Sequence, residues 1–328
     1  MLRMKRLSSS LFLFLLAPAI GELLSGSSPP LEFFFPPTLI LLALMYGCGA
    51  LVCREMAVRW GKGWASLLLL GMAYGIYEEG IVIRSFFDPG WEDLGSLAHY
   101  GRWAGVNWVW VEHLTHYHAL VSIMASITLV EIMYPARRRD RWLGRRAWRA
   151  CWLALISWIP LGFLLTPYRP PVGWYALTWL AVLGLIWAAR HLPAHVVMPA
   201  DRPVPRPRRF WGLGFAGLFA YFFMVFAAGD NGHPAPLVTM LLLAGLDLLV
   251  VVLIRRWSGN GHAWDDRHRL ALVAGGLWLF ILFSLVLEIG GNPGMSVVGL
   301  VAAAGLWRLG RRVNRRAAQE PRLQPSAV

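Results

Sequence analysis

The stretch that decides the fold is residues 74–126, YGIYEEGIVIRSFFDPGWEDLGSLAHYGRWAGVNWVWVEHLTHYHALVSIMAS. Two adjacent glutamates, Glu78 and Glu79, lie near the end of one apolar segment. Three histidines open the next apolar segment: His113, His116 and His118. Because a charged group inside the hydrocarbon of a membrane costs about 3 kcal/mol or more, ionisable residues in such segments must pair, bind an ion or stay neutral. We therefore treat this stretch as the candidate site.

The rest of the chain is mainly hydrophobic, which predicts that it forms a scaffold around this stretch. Of its 328 residues 57% are hydrophobic and 15% are charged, and the mean hydropathy is +0.51. A soluble domain carries about 25% charged residues. The sequence therefore predicts an all-α, polytopic transmembrane helical bundle. Ten apolar runs are candidate spans: 7–24, 38–53, 64–83, 115–134, 148–165, 173–189, 210–226, 236–254, 269–288 and 295–307.

The basic residues predict the orientation. With ten spans and the N-terminus inside, 28 of the 31 Lys and Arg residues fall on one side, and only Arg84, Arg102 and Arg169 fall on the other. Because basic residues concentrate in cytoplasmic loops, both ends are predicted to be cytoplasmic, in a bacterial or archaeal plasma membrane. The formal net charge of +13 then reflects topology and contact with anionic membrane lipids, and we expect no nucleic-acid partner.

We expect a single integral membrane domain covering residues 1–328, because no linker separates two halves. The first run is interpreted as an uncleaved helix, with a cleaved signal peptide as the alternative. The three cysteines, Cys48, Cys53 and Cys151, lie in or beside apolar segments and indicate no disulfide framework. Gly71 and Gly75 are spaced for close contact between the third span and a neighbouring helix.

Polar residues from several spans are predicted to meet in one layer. At about 1.5 Å per residue, Glu78 and Glu79 lie roughly 21 Å along their helix from its cytoplasmic end, and Glu22 reaches a similar depth in the first span. His116 and His118 are expected near the outer boundary. In the fourth span His118, Ser122 and Ser126 recur every four residues, which predicts one polar face that looks into the bundle.

Three interpretations of this layer stay open. The first is a metal site, in which Glu22, Glu79, His116 and His118 hold a divalent ion such as zinc, and Glu78, Glu79 and His118 are catalytic. It favours a metal-assisted hydrolase or transferase acting on a lipid-phase substrate. The second is a proton- or cation-coupled transporter, in which Glu and His relay charge. The third is structural, with ion pairs such as Arg84 and Asp88 joining helix ends.

The connection 85–110 is predicted to form an interfacial roof over the site. It has turn chemistry at residues 88–90, Asp-Pro-Gly, and more aromatic residues than a solvated loop. A site roofed in this way suits a lipid-linked or small-molecule substrate. The candidate substrate-binding residues are Arg84, Arg102, Asn107 and Trp110. The alternative is an aromatic belt that only anchors the connection.

Residues 77–87, YEEGIVIRSFF, resemble the first motif, EExxxR, of the CAAX-protease and bacteriocin-processing membrane proteases. In that family the glutamate activates water opposite histidines on later helices. Here Arg84 stands one residue later than the motif requires. The last motif of the family, HxxxN or HxxxD, matches only His262 and Asp266, in a predicted cytoplasmic loop. The resemblance covers about seven residues of the 328, so no residue role is carried over from it.

Overall fold

The computed structural model describes residues 7–194, 203–259 and 264–319; His262 lies outside this part of the chain. In chain order its helices are α1 Ser9–Leu24, the short α2 Pro30–Phe33, α3 Pro36–Arg59, α4 Trp64–Val82, α5 Trp108–Met133, α6 Arg145–Leu165, α7 Val172–His191, α8 Pro207–Asn231, α9 Pro236–Trp257, α10 Asp266–Ile289 and α11 Met295–Gln319. Short 3-10 helices occur at Glu92–Leu97, which is kinked at Gly95, and at Pro135–Arg137. The predicted all-α, polytopic transmembrane fold is confirmed.

Eight helices of the described chain, α3 to α10, are long and apolar enough to cross a membrane. α1 is shorter, and α11 carries arginines in its second half, yet contacts place the ends of both helices at opposite ends of the bundle. At one end, the Tyr134 hydroxyl donates to the Leu7 carbonyl (2.9 Å) and Arg316 donates to the Ile132 carbonyl (2.9 Å). At the other end, the Ser296 amide donates to Glu288, at the end of α10 (2.8 Å). Eight of the ten predicted spans are therefore helices long and apolar enough to cross a membrane, and the crossing of α1 and α11 stays a prediction.

The helices α3, α4 and α5 form the centre of the bundle. More than half of each is buried, whereas less than a quarter of each of the helices α6 to α9 is buried. Gly71 and Gly75 of α4 allow α5 to approach closely, because a Cβ atom at these positions would lie 2.9 Å from Ala119 Cα and 3.0 Å from His118 Cβ. The predicted packing role of these glycines is confirmed. It brings α4 and α5 together at the level of the candidate site.

The connection between α4 and α5 folds into a cap. It contains the 3-10 helix Glu92–Leu97 and two short antiparallel strands, β1 Arg102–Trp103 and β2 Val106–Asn107. The Tyr100 hydroxyl contacts the Pro234 carbonyl (2.7 Å) and Thr239 Oγ1 (2.6 Å). The cap also buries apolar side chains against α8 and α9, among them Phe86, Phe87, Leu94, Leu97 and Val106. The cap therefore packs against α8 and α9 and does not lie only above the helix ends.

The start of α5 differs from the prediction. The helix begins at Trp108, seven residues before the predicted span, because the Asn107 side chain accepts a hydrogen bond from the Trp110 amide (3.0 Å) and caps the first turn. Trp108 and Trp110, which were assigned to the roof, are therefore helical. His116 and His118 consequently lie about 12 and 15 Å from the start of the helix, deeper than the outer boundary where they were expected.

Candidate functional site

Glu78 and Glu79 of α4 meet His118 of α5 in the interior of the bundle. His118 Nε2 lies 3.0 Å from Glu79 Oε1, and His118 Nδ1 lies 3.4 Å from Glu78 Oε2. All three residues are buried. One ligand atom from each lies within 4.8 Å of the others, a group that could hold a metal ion. We refer to Glu78, Glu79 and His118 as the acidic triad.

A second carboxylate site lies beside the acidic triad. The Tyr46 hydroxyl of α3 donates to Glu22 Oε1 of α1, and the Ser28 hydroxyl donates to Glu22 Oε2 (3.1 Å). The Tyr46 ring centroid lies 5.9 Å from that of His118. The carboxylate of Glu22 is therefore linked to the triad through one tyrosine.

Hydroxyl and indole groups surround the triad. The Ser85 hydroxyl donates to Glu79 Oε2, and Trp110 Nε1 donates to Ser85 Oγ (3.1 Å). Ser122 Oγ lies 3.3 Å from His118 Nδ1, which places the predicted polar face of α5 against the triad. Each of these contacts fixes the orientation of a side chain in the site.

Four π-helical segments supply the residues of this site. They lie inside α1, α3, α4 and α5: Ala19–Leu24, Ala43–Gly47, Tyr77–Val82 and His118–Ala125. The wider π turn reduces the angle between successive side chains, so the adjacent Glu78 and Glu79 can both point towards α5. Such segments inside α-helices occur frequently at functional sites. The π-helical segments are a property of the backbone, so they indicate a functional site independently of which side chains the site contains.

Buried polar atoms without a hydrogen bond remain in the site. Within the described residues, Glu78 Oε2 and the Tyr74 hydroxyl have no hydrogen-bond partner of ordinary geometry. An unpaired buried polar group costs about 1–3 kcal/mol, and a charged one costs more. The site also holds three carboxylates, those of Glu22, Glu78 and Glu79, against one imidazole. Bound protons or a cation must offset this excess negative charge.

A divalent ion fits these groups chemically. In a tetrahedral zinc site the ligand atoms lie about 3.4 Å apart, given metal–ligand distances near 2.1 Å, so small side-chain shifts bring the triad onto one ion. With His118 Nε2 towards an ion, Nδ1 could donate its proton to the Ser122 hydroxyl, which lies 3.3 Å away. Such a second hydrogen bond is usual for a histidine that ligates a metal. Three protein ligands leave one coordination position open.

His116 does not join the triad, although the sequence placed it among the metal ligands. Its Nε2 contacts Asp247 Oδ2 of α9 (2.8 Å), and its Nδ1 contacts the Glu112 carbonyl (2.8 Å). His116 and His118 are two positions apart, which is about 200° around a helix, so the two rings point to opposite faces. Asp247 of α9 is therefore the partner of His116.

Arg84 also points away from the triad. Its guanidinium donates to the Val82 carbonyl at the end of α4 (2.6 Å). It also donates to the carbonyls of Gly162 (2.9 Å) and Thr166 (2.9 Å) at the carboxyl end of α6. The positive charge therefore complements the negative end of that helix dipole. Among the ion pairs of the described residues, Arg84 has none with Asp88, so the expected Arg84–Asp88 pair does not form.

Two other candidate substrate-binding residues are occupied within the cap. Arg102 donates to the carbonyls of Phe87 (2.9 Å) and Asp88 (3.2 Å). The Asn107 side chain donates to the Leu97 carbonyl (2.6 Å) while it caps α5. Of the four candidates, Trp110 alone touches the site among the described contacts, through Ser85.

The sequence interpretation missed Tyr46, Ser28 and Ser85. Tyrosines and serines in apolar spans are common and give no periodic signal of their own. The adjacency of Ser85 to the EExxxxR stretch was the available hint, since Ser85 follows Glu79 closely enough for a bent helix end to return its hydroxyl to the carboxylate.

Residues 11–167 match the model of a family described as an uncharacterized membrane protein family. The matched stretch contains the whole acidic triad together with Glu22, Tyr46, Ser85 and Ser122. No curated protein and no solved structure matches the chain significantly. Together with the apolar helices, the match identifies a multi-pass membrane protein.

Proposed function

We propose that the acidic triad is the metal centre of a membrane-embedded hydrolase or transferase acting on a lipid-phase substrate. The observation that carries this proposal is the convergence of three buried ligand atoms within 4.8 Å, in a site with excess negative charge. Carboxylate and imidazole ligands suit zinc and other borderline or hard divalent ions.

The roles of the residues follow from their contacts. Glu78, Glu79 and His118 hold the ion, while Ser85 and Ser122 orient Glu79 and His118. A bound divalent ion would supply Lewis acidity to a substrate oxygen or to water. Glu22, held by Tyr46 and Ser28, is the neighbouring carboxylate that can accept or return a proton.

The position of the site favours a substrate from the bilayer. The triad lies within membrane-spanning helices and below the cap, and its members are buried. A lipid or lipid-linked molecule already resides at this depth, whereas a water-soluble polymer would have to leave water to reach it.

Metal analysis of the purified protein tests the proposal. We expect about one divalent ion per chain, and Glu79→Gln should remove it, because the amide keeps the shape of the side chain but loses its charge. Glu112→Gln is the matched control, since Glu112 is a carboxylate on α5 that lies outside the triad. Retention of the ion by the Glu79 variant, or equal loss in both variants, would contradict the proposal.

A coupled transporter is the second candidate, and one contact favours it. His118 faces one carboxylate with each ring nitrogen, an arrangement that can pass a proton from Glu78 to Glu79. Protein without stoichiometric metal whose Glu79→Gln variant abolishes proton uptake by proteoliposomes would select this function. Intact proton uptake in that variant would reject it.

A further inference from the structure

The second half of α11 forms a groove of arginine side chains. Its volume is about 530 Å³. The lining residues are Trp307, Arg308, Arg311, Arg312, Arg315, Arg316 and Gln319. Residues 295–319 contain no Asp or Glu, so the helix itself offers the arginines no acidic partner. The spacing of Arg308, Arg311 and Arg315 puts them on one face, where like charges repel and an anion lowers the energy.

The first half of the same helix is apolar and faces outward. Val297, Leu300 and Val301 are exposed, and so is Trp307, which stands at the boundary with the arginines. Tryptophan is the residue that membrane proteins place at the level of the lipid headgroups. Along one helix face the chain therefore presents an apolar surface, an aromatic ring and a cationic groove, the order of acyl chain, glycerol and phosphate in a phospholipid.

We propose that this groove binds the headgroup of an anionic phospholipid, with its phosphate on Arg308, Arg311 and Arg315. The acyl chains lie along the apolar half of α11. Guanidinium groups match phosphate oxygens with paired hydrogen bonds, which makes arginine the preferred residue for such a site. The charge distribution predicts that this end is cytoplasmic, where anionic lipids attract basic segments.

The groove lies against the helix that carries His118. Arg316 donates to the carbonyls of Ile132 (2.9 Å) and Met133 (3.5 Å), the last residues of α5. Leu309 and Val313, on the inner face of α11, are buried in the same cluster as Ile132. A lipid held here therefore sits on the end of a central helix, and this binding does not depend on the metal centre.

Native mass spectrometry of the full-length protein in detergent tests the proposal, with phosphatidylglycerol and phosphatidylcholine titrated separately. We expect tighter binding of phosphatidylglycerol. R308Q/R311Q/R315Q should weaken that binding about 100-fold, at roughly fivefold for each arginine near an anionic lipid. R308K/R311K/R315K keeps the charges and should retain most of the affinity, which separates loss of charge from loss of fold.

The control variant is R145Q/R146Q/R149Q, because these three exposed arginines begin α6 at the same end of the bundle. It should bind phosphatidylglycerol within about threefold of wild type, less than the loss of one lipid-contacting arginine. Equal losses in the two glutamine variants, or equal binding of the two lipids, would show that the arginines only set topology. Displacement of the lipid by inorganic phosphate at similar concentration would identify a free-anion site and overturn the lipid assignment.

Discussion

Tyr46 and Tyr74 are two buried tyrosines with different hydrogen bonding beside the same histidine. Their ring centroids lie 5.9 and 6.2 Å from that of His118. The Tyr46 hydroxyl donates to Glu22, whereas the Tyr74 hydroxyl lies beside Glu78 of the acidic triad. In the hydrocarbon region a carboxylate depends on such a donor, because water is scarce. The two hydroxyls therefore serve different carboxylates of the site.

Tyr46→Phe should lower stability and metal retention together. Loss of a hydrogen bond to a charged group costs about 1.5–3 kcal/mol, and the change leaves Glu22 with Ser28 as its remaining described donor. Tyr134→Phe is the control: it removes the hydrogen bond to the Leu7 carbonyl at the end of the bundle, should cost about 0.5–1.5 kcal/mol, and should leave metal retention unchanged. Unfolding in mixed micelles, followed with metal analysis, measures both variants. Equal effects of the two changes on metal retention would show that the Tyr46–Glu22 contact has no part in holding the ion.

At the scale of helices, close contact between α4 and α5 positions the triad. Gly75 lies one turn before Glu79, and its missing side chain makes room for His118. Small residues let membrane helices approach closely, because packing rather than hydrophobic burial drives their association. The distance between Glu79 and His118 thus depends on Gly75, which has no side chain to contribute to the site.

Gly75→Leu should separate α4 from α5 and disrupt the triad. A Cβ atom there already lies 3.0 Å from His118 Cβ and 3.3 Å from the Leu114 carbonyl, so a leucine cannot fit without movement of the helices. We expect loss of bound metal and a destabilisation of about 1–3 kcal/mol from overpacking. Metal content and the unfolding midpoint are the measurements.

Gly184→Leu in α7 is the control for that change, because no atom of the described residues lies within 4 Å of a Cβ atom built there. It adds the same side chain to a lipid-facing position and should leave metal content unchanged. If Gly75→Leu kept its metal and its stability, the close approach of the two helices would not be what forms the site.

Hydrophobic runs and charge placement are sufficient to predict the fold class, since both are properties of local sequence. They also predicted that Glu78, Glu79 and His118 meet, because ionisable groups in neighbouring spans must find partners. His116 was wrongly placed among the metal ligands for two reasons. The helix begins earlier than predicted, at Trp108, so His116 lies deeper in the bundle; and His116 faces away from His118, towards Asp247. The π-helical segments were not predictable, since no residue type marks them and tertiary packing decides where a turn widens.

At the scale of the whole molecule, contacts gather the predicted cytoplasmic loops at one end. Arg138 pairs with Asp266 (2.5 Å), and Lys62 donates to the Leu192 carbonyl (2.6 Å). Arg54, which is buried, donates to the Asp140 carbonyl (3.0 Å). These contacts involve four loops that the charge count assigned to one side, although that count used no structural information. The fold and the distribution of basic residues therefore agree on which loops share a side.

The other end gathers the loops with few basic residues. Arg84 of the cap reaches the Thr166 carbonyl (2.9 Å), and Tyr100 reaches the Pro234 carbonyl (2.7 Å). A Cβ atom at Gly294 would contact Pro30 at 3.3 Å, which brings the α10–α11 turn next to the α1–α3 connection. Contacts alone cannot say which end faces the cytoplasm. The excess of basic residues at the first end supplies that assignment.

Reporter fusions test this orientation. Reporters placed after Trp142, after Trp264 and at the C-terminus should report the cytoplasm, because the basic residues of those loops resist translocation. Reporters after Pro29, Asp93 and Asn231 should report the opposite side. The two groups must differ even if the absolute orientation is reversed, since the helices between them each cross once. A C-terminal reporter on the same side as the Asp93 reporter would mean that α11 or another helix does not cross, and would also remove the arginine groove from the cytoplasmic leaflet.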